Sequence, residues 1–526
     1  MSEKRDLWKN LCILRHAFPI SWLMVGDFNE TLNQIDRSSG YLHIKGSSAF
    51  WNFLDSCHLI EYQLAGGYFT WFRNCLMSKL DRAFSDESFL LQFSNVMLHR
   101  LPREMSDHCP LLVSDSLLES GYRPFKFLDC WLQFPNFKNI IRGFWFDGCT
   151  AFPGRFRFIK KLSFVAAQLR RWNKDDFGDQ EHKLQVVISQ IDDLERKQEA
   201  DPLCPSDHLK LESLIKDKWT YSNRVECKWR QRSRQLWCKL GDCNTRFFHL
   251  IANFRRAKSH IMMINHKGAE LRSLPEIKSA AVDYFYNLYR APIGKKAEMG
   301  PVGFKRLNSK LSLWLERDVT LDEIKRCVWD CDGSKSPCPD GFNFKFYKIA
   351  WDFIAEDLLD LITEFFRTGS MPKGVNLSYI TLVSKRKVTM EFKEYRPISL
   401  IHGIYKIIAK ILSSRLKEVI GSLISDNQTA FIADRQIVDG FMVANEVVYD
   451  LKRSRRSGLI FKVDFQKAFD SVLWDYIDEV MTYMGFGAKW RGWISSCLST
   501  SQVSVLVNGS SSLEVLGKVI PISLSF

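Results

Sequence analysis

Three short polar segments near the N-terminus contain side chains that can hold a divalent cation and a phosphate group. Asp27 and Asn29 directly follow Ser21–Val25, whose apolar pattern predicts a buried strand. Lys79–Arg82 comes later and contains an aspartate, and Asp107 and His108 are adjacent farther on. Carboxylates and an amide at a strand end can bind a cation, and an imidazole can bind phosphate. Each segment alone also fits a turn or a solvated loop, but their order favours a site.

A second set of residues fits the chemistry of nucleotide transfer. Ile460–Asp464 predicts a strand that ends on a carboxylate, and Phe469 follows five residues later. Two cations can activate a 3′-hydroxyl and stabilise a leaving pyrophosphate, and carboxylates must bridge them. The aromatic ring could lie beneath the sugar. The alternative is a strand-to-helix turn in which Asp464 caps the helix and Phe469 lies in the core.

A third set alternates cations with aromatic residues. It contains Lys228, Arg230, Arg232 and Arg234, with Trp237 shortly after. Arginines can contact phosphates while tryptophans stack on bases, so the set predicts nucleic-acid binding. The alternative is a solvated helix face whose tryptophan docks on a neighbouring element.

The elements that position these residues differ along the chain. Residues 1 to about 125 have short apolar runs between Gly, Asn and Asp, as in an α/β domain. Residues 155–260 have a helical period and carry 23 Lys and Arg against 14 Asp and Glu. Lys183–Glu199 predicts an amphipathic helix, Asp201–Pro205 a break, and Ser206 the start of a second helix. From about Leu321 onward, helices alternate with short apolar strands.

Composition narrows the function classes. The 526 residues have a net charge of +14, with 46% hydrophobic and 25% charged residues, which excludes a disordered or fibrous chain. The positive charge predicts a polyanionic partner, and the absence of a long apolar run predicts an intracellular, nuclear or cytoplasmic protein without a membrane span. Scattered cysteines predict free thiols. Cys238, Cys243 and His249 lack the spacing of a zinc site.

The N-terminal segments together resemble the C-terminal half of the endonuclease/exonuclease/phosphatase family of Mg²⁺-dependent phosphodiesterases. Phe69–Trp71 is similar to the version found in plant LINE-type (non-LTR) retrotransposons. The resemblance implies that Asp27 and Asn29 position water and the scissile phosphate. It also implies that Asp107 orients His108, which binds the phosphate in the transition state. Trp237–His249 resembles the segment that precedes the polymerase in plant LINE proteins.

The C-terminal region resembles the fingers and early palm of a non-LTR retrotransposon reverse transcriptase. The resemblance implies that Lys385 and Arg396 hold the incoming triphosphate, that Asp464 is a catalytic metal ligand, and that Phe469 is the sugar gate. It rests on segments that occur in the family's order: Lys335–Phe342, Pro372–Asn376, Tyr379–Lys385, Tyr395–Leu400, Asn427–Phe431 and Ile460–Asp470.

The sequence also departs from both families. Cys338 replaces a usual Gly, and Ala433–Asp434 replaces a usual Pro-Gly. The nuclease family's metal-binding Glu lies on a preceding half, whereas Glu3 is in a predicted helix. The polymerase family's Gln-Gly-Asp-Pro-Leu-Ser-Pro and Ala-Asp-Asp motifs have no counterpart. We therefore expect neither independent nuclease activity nor DNA synthesis by this chain.

The overall expectation is an α+β multidomain protein. It combines a partial nuclease α/β-sandwich (1–125), a mostly helical basic connector (126–320) and partial reverse-transcriptase fingers and palm (321–526). The implied function is that of a catalytically defective LINE-type reverse transcriptase/endonuclease, with Mg²⁺ as cofactor and RNA and DNA as partners. The alternatives are a non-enzymatic nucleic-acid-binding remnant and a working Mg²⁺ phosphodiesterase.

Overall fold

The computed structural model describes most of the chain, with several gaps. The described residues are 2–41, 43–62, 64–93, 96–103, 105–115, 124–151, 157–233, 259–261, 263–289, 303–385, 389–430, 432, 434–463, 472–512 and 516–517. Helices and small sheets are mixed, as the predicted α+β class requires. None of the helices in these ranges has the length and apolar character needed to cross a bilayer.

Among its described residues, the N-terminal part contains three small sheets and three α-helices. The sheet orders are β1-β6-β2, β3-β7-β8 and the hairpin β4-β5. The helices are α1 (Ser2–Ala17), α2 (Ile44–Ser56) and α3 (Glu87–Gln92). The strands are β1 (Leu23–Asp27), β2 (Ile60–Glu61), β3 (Leu64–Ala65), β4 (Trp71–Arg73), β5 (Leu76–Ser78), β6 (Asp81–Ser85), β7 (Val96–Arg100) and β8 (Leu111–Asp115).

An aromatic core fixes α1 and α2 against the first sheet. Trp8 of α1 stacks on Phe50 and Phe53 of α2, with ring centroids 5.0 Å apart in both pairs. Phe84 of β6 meets Phe50 edge-on. β6 is buried along its whole length because it is the central strand. The predicted buried strand near Val25 is instead the edge strand β1, and Val25 is 45% exposed.

The middle of the chain is helical, as its period predicts. It contains α4 (Phe137–Ala151), α5 (Arg157–Trp172), a π-helical turn (Asn173–Phe177), α6 (Gln180–Ala200) and α7 (Pro205–Ser233). Asp179 caps α6 by accepting from two backbone N–H groups of its first turn. The predicted break and second helix are confirmed, because α6 ends at Ala200 and Pro205 is the first residue of α7.

The first part of this helical region shares its core with the C-terminal part. One cluster of buried apolar side chains contains residues from 127–177 and residues from 307–498. Lys161 of α5 is almost fully buried and pairs with Asp357 at 2.5 Å, and the indole N–H of Trp145 donates to the same carboxylate at 3.0 Å. Helices α4 and α5 are therefore packed into the C-terminal part rather than standing apart from it.

Among its described residues, the C-terminal part places a five-stranded sheet and the two-stranded sheet β9-β10 among helices. The order of the five-stranded sheet is β12-β11-β13-β14, and β15 also pairs with β13. The helices are α8 (Leu274–Tyr289), α9 (Ser309–Leu315), α10 (Leu321–Trp329), α11 (Phe344–Ile349), α12 (Trp351–Thr368), α13 (Gly403–Leu423), α14 (Ile437–Arg453), α15 (Trp474–Tyr483) and α16 (Ala488–Ser499). The strands are β9 (Ile264–His266), β10 (Ala269–Leu271), β11 (Leu377–Ser384), β12 (Tyr395–Ile401), β13 (Gln502–Val507), β14 (Ser510–Ser511) and β15 (Leu516–Gly517).

One predicted strand of this part is wrong over its described residues. Residues 460–463 form no strand, and Ile460 and Phe461 are 74% and 83% exposed. β-branched and aromatic residues favour a strand only when a neighbouring strand supplies the hydrogen bonds. Within the described ranges, no strand pairs with this segment.

Candidate functional site

Two carboxylates meet at the end of the β1–β6 ladder. The antiparallel register pairs Leu23 with Ser85 at one end and Asp27 with Asp81 at the other. Directly opposed residues of an antiparallel pair lie close together, so the register itself juxtaposes these two acidic residues. Asp27 is exposed, whereas the side chain of Asp81 is only 12% exposed.

The turn after β1 depends on Asn29. This residue has a φ of 52°, in the left-handed region that Asn tolerates better than most residues. Its backbone N–H and side-chain amide donate to the two carboxylate oxygens of Asp27, at 2.8 Å and 2.7 Å. The Asp-Phe-Asn spacing therefore builds a turn that fixes the Asp27 carboxylate.

Thr70 holds the other side of the site. Its buried hydroxyl oxygen accepts from the backbone N–H groups of Leu80 and Asp81, at 3.0 Å and 2.9 Å. Its carbonyl accepts from the N–H of Cys109 at 2.7 Å. One threonine thus connects the segment before β4, the start of β6 and the segment that contains His108.

His108 is oriented by Asp81. The imidazole Nδ1 lies 2.9 Å from an Asp81 carboxylate oxygen. Partial burial alone would lower the pKa of His108. The hydrogen bond and charge of Asp81, with smaller contributions from Asp27 and Asp107, outweigh it and raise the pKa. The protonated imidazolium is therefore favoured relative to a free histidine.

Asp107 has a different partner from the one that the resemblance implies. Its carboxylate accepts from the indole N–H of Trp71 at 2.9 Å, and its carbonyl accepts from the N–H of Phe72 at 2.8 Å. The orienting contact on His108 comes from Asp81. Sequence reasoning recognised the Lys-Leu-Asp-Arg segment but did not assign this role to its aspartate.

Asp27, Asp81 and His108 form a group that could hold a metal ion. One ligand atom from each residue lies within 4.8 Å of the other two. Because the Nδ1 of His108 already faces Asp81, the carboxylates are the groups that fit a hard cation. The exposed Asp27 fits best, and His108 fits a role in contacting a phosphate oxygen.

A buried ion network lies beneath this site. Arg82 and Asp36 are each 1% exposed and are paired at 2.7 Å, while Arg82 also contacts Glu61 at 2.6 Å. Lys79 binds the same glutamate at 2.6 Å. Neighbouring residues of one motif thus have separate tasks: Asp81 faces the site, and Lys79 and Arg82 stabilise the strands behind it.

In the C-terminal part, Lys385 and Arg396 come together at one end of the β11–β12 hairpin. Arg396 is opposite Val383 in the register, and the N–H of Lys385 donates to the carbonyl of Glu394. The two cations are diagonal neighbours on one face, and both are exposed. The Lys385 ammonium donates to the carbonyl of Lys393 at 2.9 Å. Asp464 and Phe469 lie outside the described residues.

The basic run on α7 is partly engaged within the protein. Lys228 and the indole N–H of Trp229 both contact Glu181 of α6, at 3.1 Å and 2.8 Å. Trp229 is 8% exposed, which matches the alternative of a docked tryptophan. Arg230 is 4.0 Å from a glutamate one turn earlier, and Arg232 lies over the Trp229 ring. Arg234, Trp237 and the Cys238–His249 group lie outside the described residues.

Comparison with known proteins identifies relatives of this chain. Residues 383–522 match the reverse transcriptase (RNA-dependent DNA polymerase) family. An uncharacterized 149 kDa protein of transposon TX1 from Xenopus laevis is 24% identical over 92% of this chain and 38% of its own length. A retrovirus-related Pol polyprotein from the type-1 retrotransposable element R2 of Nasonia vitripennis is 27% identical over 31% of this chain and 15% of its own length. The chain therefore spans well under half the length of either relative.

Proposed function

Since the chain is a LINE-type (non-LTR) retrotransposon protein with a reverse transcriptase segment, we propose that its N-terminal part binds nucleic-acid phosphodiesters. The proposed site consists of Asp27, Asn29, Asp81 and His108. The observation that carries the proposal is the convergence of Asp27, Asp81 and His108 within 4.8 Å.

The charges of these groups suit a phosphodiester with a divalent cation. Mg²⁺ would be held by the Asp27 carboxylate, with water completing its shell, and would neutralise charge on the phosphate. Asn29 fixes this carboxylate through two hydrogen bonds. The cation offsets the repulsion between the carboxylates and an anionic ligand.

His108 supplies a positive hydrogen-bond donor. Its Nδ1 is directed at Asp81, which leaves the Nε2 edge of the ring to donate to a phosphate oxygen. The raised pKa of His108 increases the imidazolium fraction near neutral pH. A charged donor forms a stronger hydrogen bond to a phosphate than a neutral one does.

RNA and DNA are the proposed partners of the C-terminal part. Lys385 and Arg396 form an exposed pair of cations within the matched segment. Such a pair suits the phosphates of a nucleotide or of a template–primer duplex. Binding should weaken steeply as the salt concentration rises, because each neutralised phosphate releases counterions.

A binding titration tests the N-terminal site. The fluorescence anisotropy of a labelled DNA duplex is followed with the full chain, in Mg²⁺ and in EDTA. We expect D27N to remove the Mg²⁺-dependent part of the affinity and H108Q to weaken binding about tenfold, as for the loss of a charge-assisted hydrogen bond. D55N and H16Q are matched controls, because both residues are exposed in the same part of the chain. Equal affinity in Mg²⁺ and EDTA, with H108Q like the unsubstituted protein, would refute the proposal.

The match over residues 383–522 makes RNA-directed DNA synthesis a second candidate function. Primer extension on an RNA template with Mg²⁺ separates synthesis from binding alone. If the chain incorporates nucleotides and D464A abolishes this incorporation, the segment has polymerase activity. Template–primer binding without incorporation, weakened by the double variant K385Q/R396Q, would assign it a binding role.

A further inference from the structure

Two thiols meet where α1 packs on α2. Cys12 lies in α1, and Cys57 is the C-cap residue that directly follows α2. Their Sγ atoms are 3.2 Å apart, although the residues are 45 positions apart in sequence. Thiol–thiol contact at this distance needs only a small displacement to reach the bond length of a disulfide.

The surroundings of the two thiols differ. Cys57 is 3% exposed and belongs to the aromatic core of Trp8, Phe50 and Phe53. Cys12 is partly exposed at the edge of that core. Burial, together with the hydrogen bond between the Cys57 and Cys12 thiols, raises the pKa of Cys57 to about 12, while the nearby Arg15 opposes this shift. Cys12 is therefore the thiol that a dissolved oxidant reaches first.

We propose that Cys12 and Cys57 are a reversible redox pair that cross-links α1 to α2. In the first step, the Cys12 thiolate attacks a small-molecule disulfide, forms a mixed disulfide and releases one thiol. The Cys57 thiolate then attacks the Cys12 sulfur and releases the second thiol. The protein loses two electrons and two protons, and the oxidant is reduced to two thiols.

The cross-link would act on the neighbourhood of the Asp27 turn. Lys4 of α1 donates to the carbonyl of Asn29 at 2.8 Å and pairs with Glu30 at 3.1 Å. At the other end of the helix, Arg15 pairs with Asp86 at 2.7 Å. Oxidation would thus link α1 covalently to α2, and the side chains of α1 already contact the segment after β1. After reduction, only the non-covalent contacts would hold α1 in place.

The test uses the full chain, reduced and then treated with oxidised glutathione. After thiol blocking and tryptic digestion without reductant, we expect Asn10–Arg15 joined to Gly46–Arg73, two hydrogen atoms lighter than the separate peptides. C12S and C57S should remove this species, whereas C75S, at an exposed cysteine, should retain it. Recovery of Cys12 and Cys57 mainly as separate adducts, or joined to other cysteines in comparable yield, would overturn the proposal.

Hydrogen exchange provides a second measurement. Closing a loop of this length should slow amide exchange in α1 by about tenfold or more in the oxidised protein. Oxidised C12S should exchange like the reduced protein. If the Cys12–Cys57 disulfide forms quantitatively and the amide exchange rates of α1 do not change, the disulfide does not stabilise α1 and the proposal is contradicted. Neither measurement depends on nucleic-acid binding.

Discussion

Replacing Arg82 with methionine should weaken the strands behind the candidate site. Methionine keeps an apolar stem of similar reach but removes the guanidinium that pairs with Asp36 and Glu61, at 2.7 Å and 2.6 Å. Breaking one partner of a buried ion pair typically costs about 3–5 kcal/mol. Glu61 would keep Lys79 as a partner at 2.6 Å.

Asp36 would also keep part of its hydrogen bonding in R82M. Its carboxylate accepts from the backbone N–H groups of Leu32 and Asn33, both at 2.8 Å, and from the Tyr68 hydroxyl at 2.5 Å. The expected loss is therefore at the lower end, about 3 kcal/mol. In the full chain, this corresponds to roughly 150-fold faster hydrogen exchange of β6 amides.

The stability that R82M loses should depend on pH. Burial opposes ionisation of Asp36, but the charge of Arg82 and the hydrogen bonds outweigh it and lower the pKa below its ordinary value of 3.8. A lowered pKa contributes stability above the unfolded-state pKa, and this is lost as the pH falls through the folded-state pKa. R82M removes the charge that keeps the pKa of Asp36 low. As the pH falls, Asp36 is therefore protonated in the variant before it is protonated in the unsubstituted protein, and this removes the unpaired buried charge. The difference in stability between R82M and the unsubstituted protein should therefore narrow as the pH falls toward and below 3.8.

A matched substitution on an exposed ion pair controls for the loss of charge. Arg196 pairs with Asp192 on α6, and the two side chains are 73% and 53% exposed. R196M should change local stability by less than about 0.5 kcal/mol. Equal changes in exchange around the two positions, or a β6 effect below about 1 kcal/mol, would show that burial of the Arg82 ion pair does not set the size of the loss.

Three further substitutions test other contacts. T70V leaves two buried N–H groups without their acceptor and should lower the local free energy of opening by about 2 kcal/mol in hydrogen exchange; T70S should restore it. D81N should lower the pKa of His108, measured by NMR titration of the ring, and a curve identical to that of the unsubstituted protein would contradict the assigned hydrogen bond. R415M removes a buried guanidinium that contacts Glu323 at 2.8 Å and 2.7 Å, so exchange in α13 should show a loss of about 4 kcal/mol, and an unchanged α13 would refute it.

Local patterns in the sequence predict the two helices α6 and α7 and the break between them well. The spacing of apolar residues in Lys183–Glu199 and the prolines near 202–205 are local signals, and α6 and α7 follow them closely. Ile460–Val463 shows the limit of such signals. Its residues have high β-propensity, but a strand also needs a neighbour, which local sequence does not specify.

The site depended on tertiary contacts that a pattern does not contain. Asp27 and Asn29 can be identified as candidate site residues from their residue types and their position after a predicted strand. The role of Asp81 is visible only in the structure, from its register with Asp27 and its contact with His108. Thr70 was part of a recognised segment, but its role depends on hydrogen bonds to β6. The burial of Lys161 beside Asp357 could likewise not be predicted from the sequence, because basic residues at helical spacing usually indicate a solvent-exposed face.

Binding of a divalent cation beside His108 is the most direct test of the proposed site. In the full chain, with histidine rings labelled for NMR, Mn²⁺ is titrated as a paramagnetic substitute for Mg²⁺. We expect the His108 ring signal to broaden at Mn²⁺ concentrations that leave the signal of the exposed His16 sharp, and we expect D27N to remove this selectivity. Parallel broadening of both signals, or selective broadening that persists in D27N, would contradict a cation site built on Asp27.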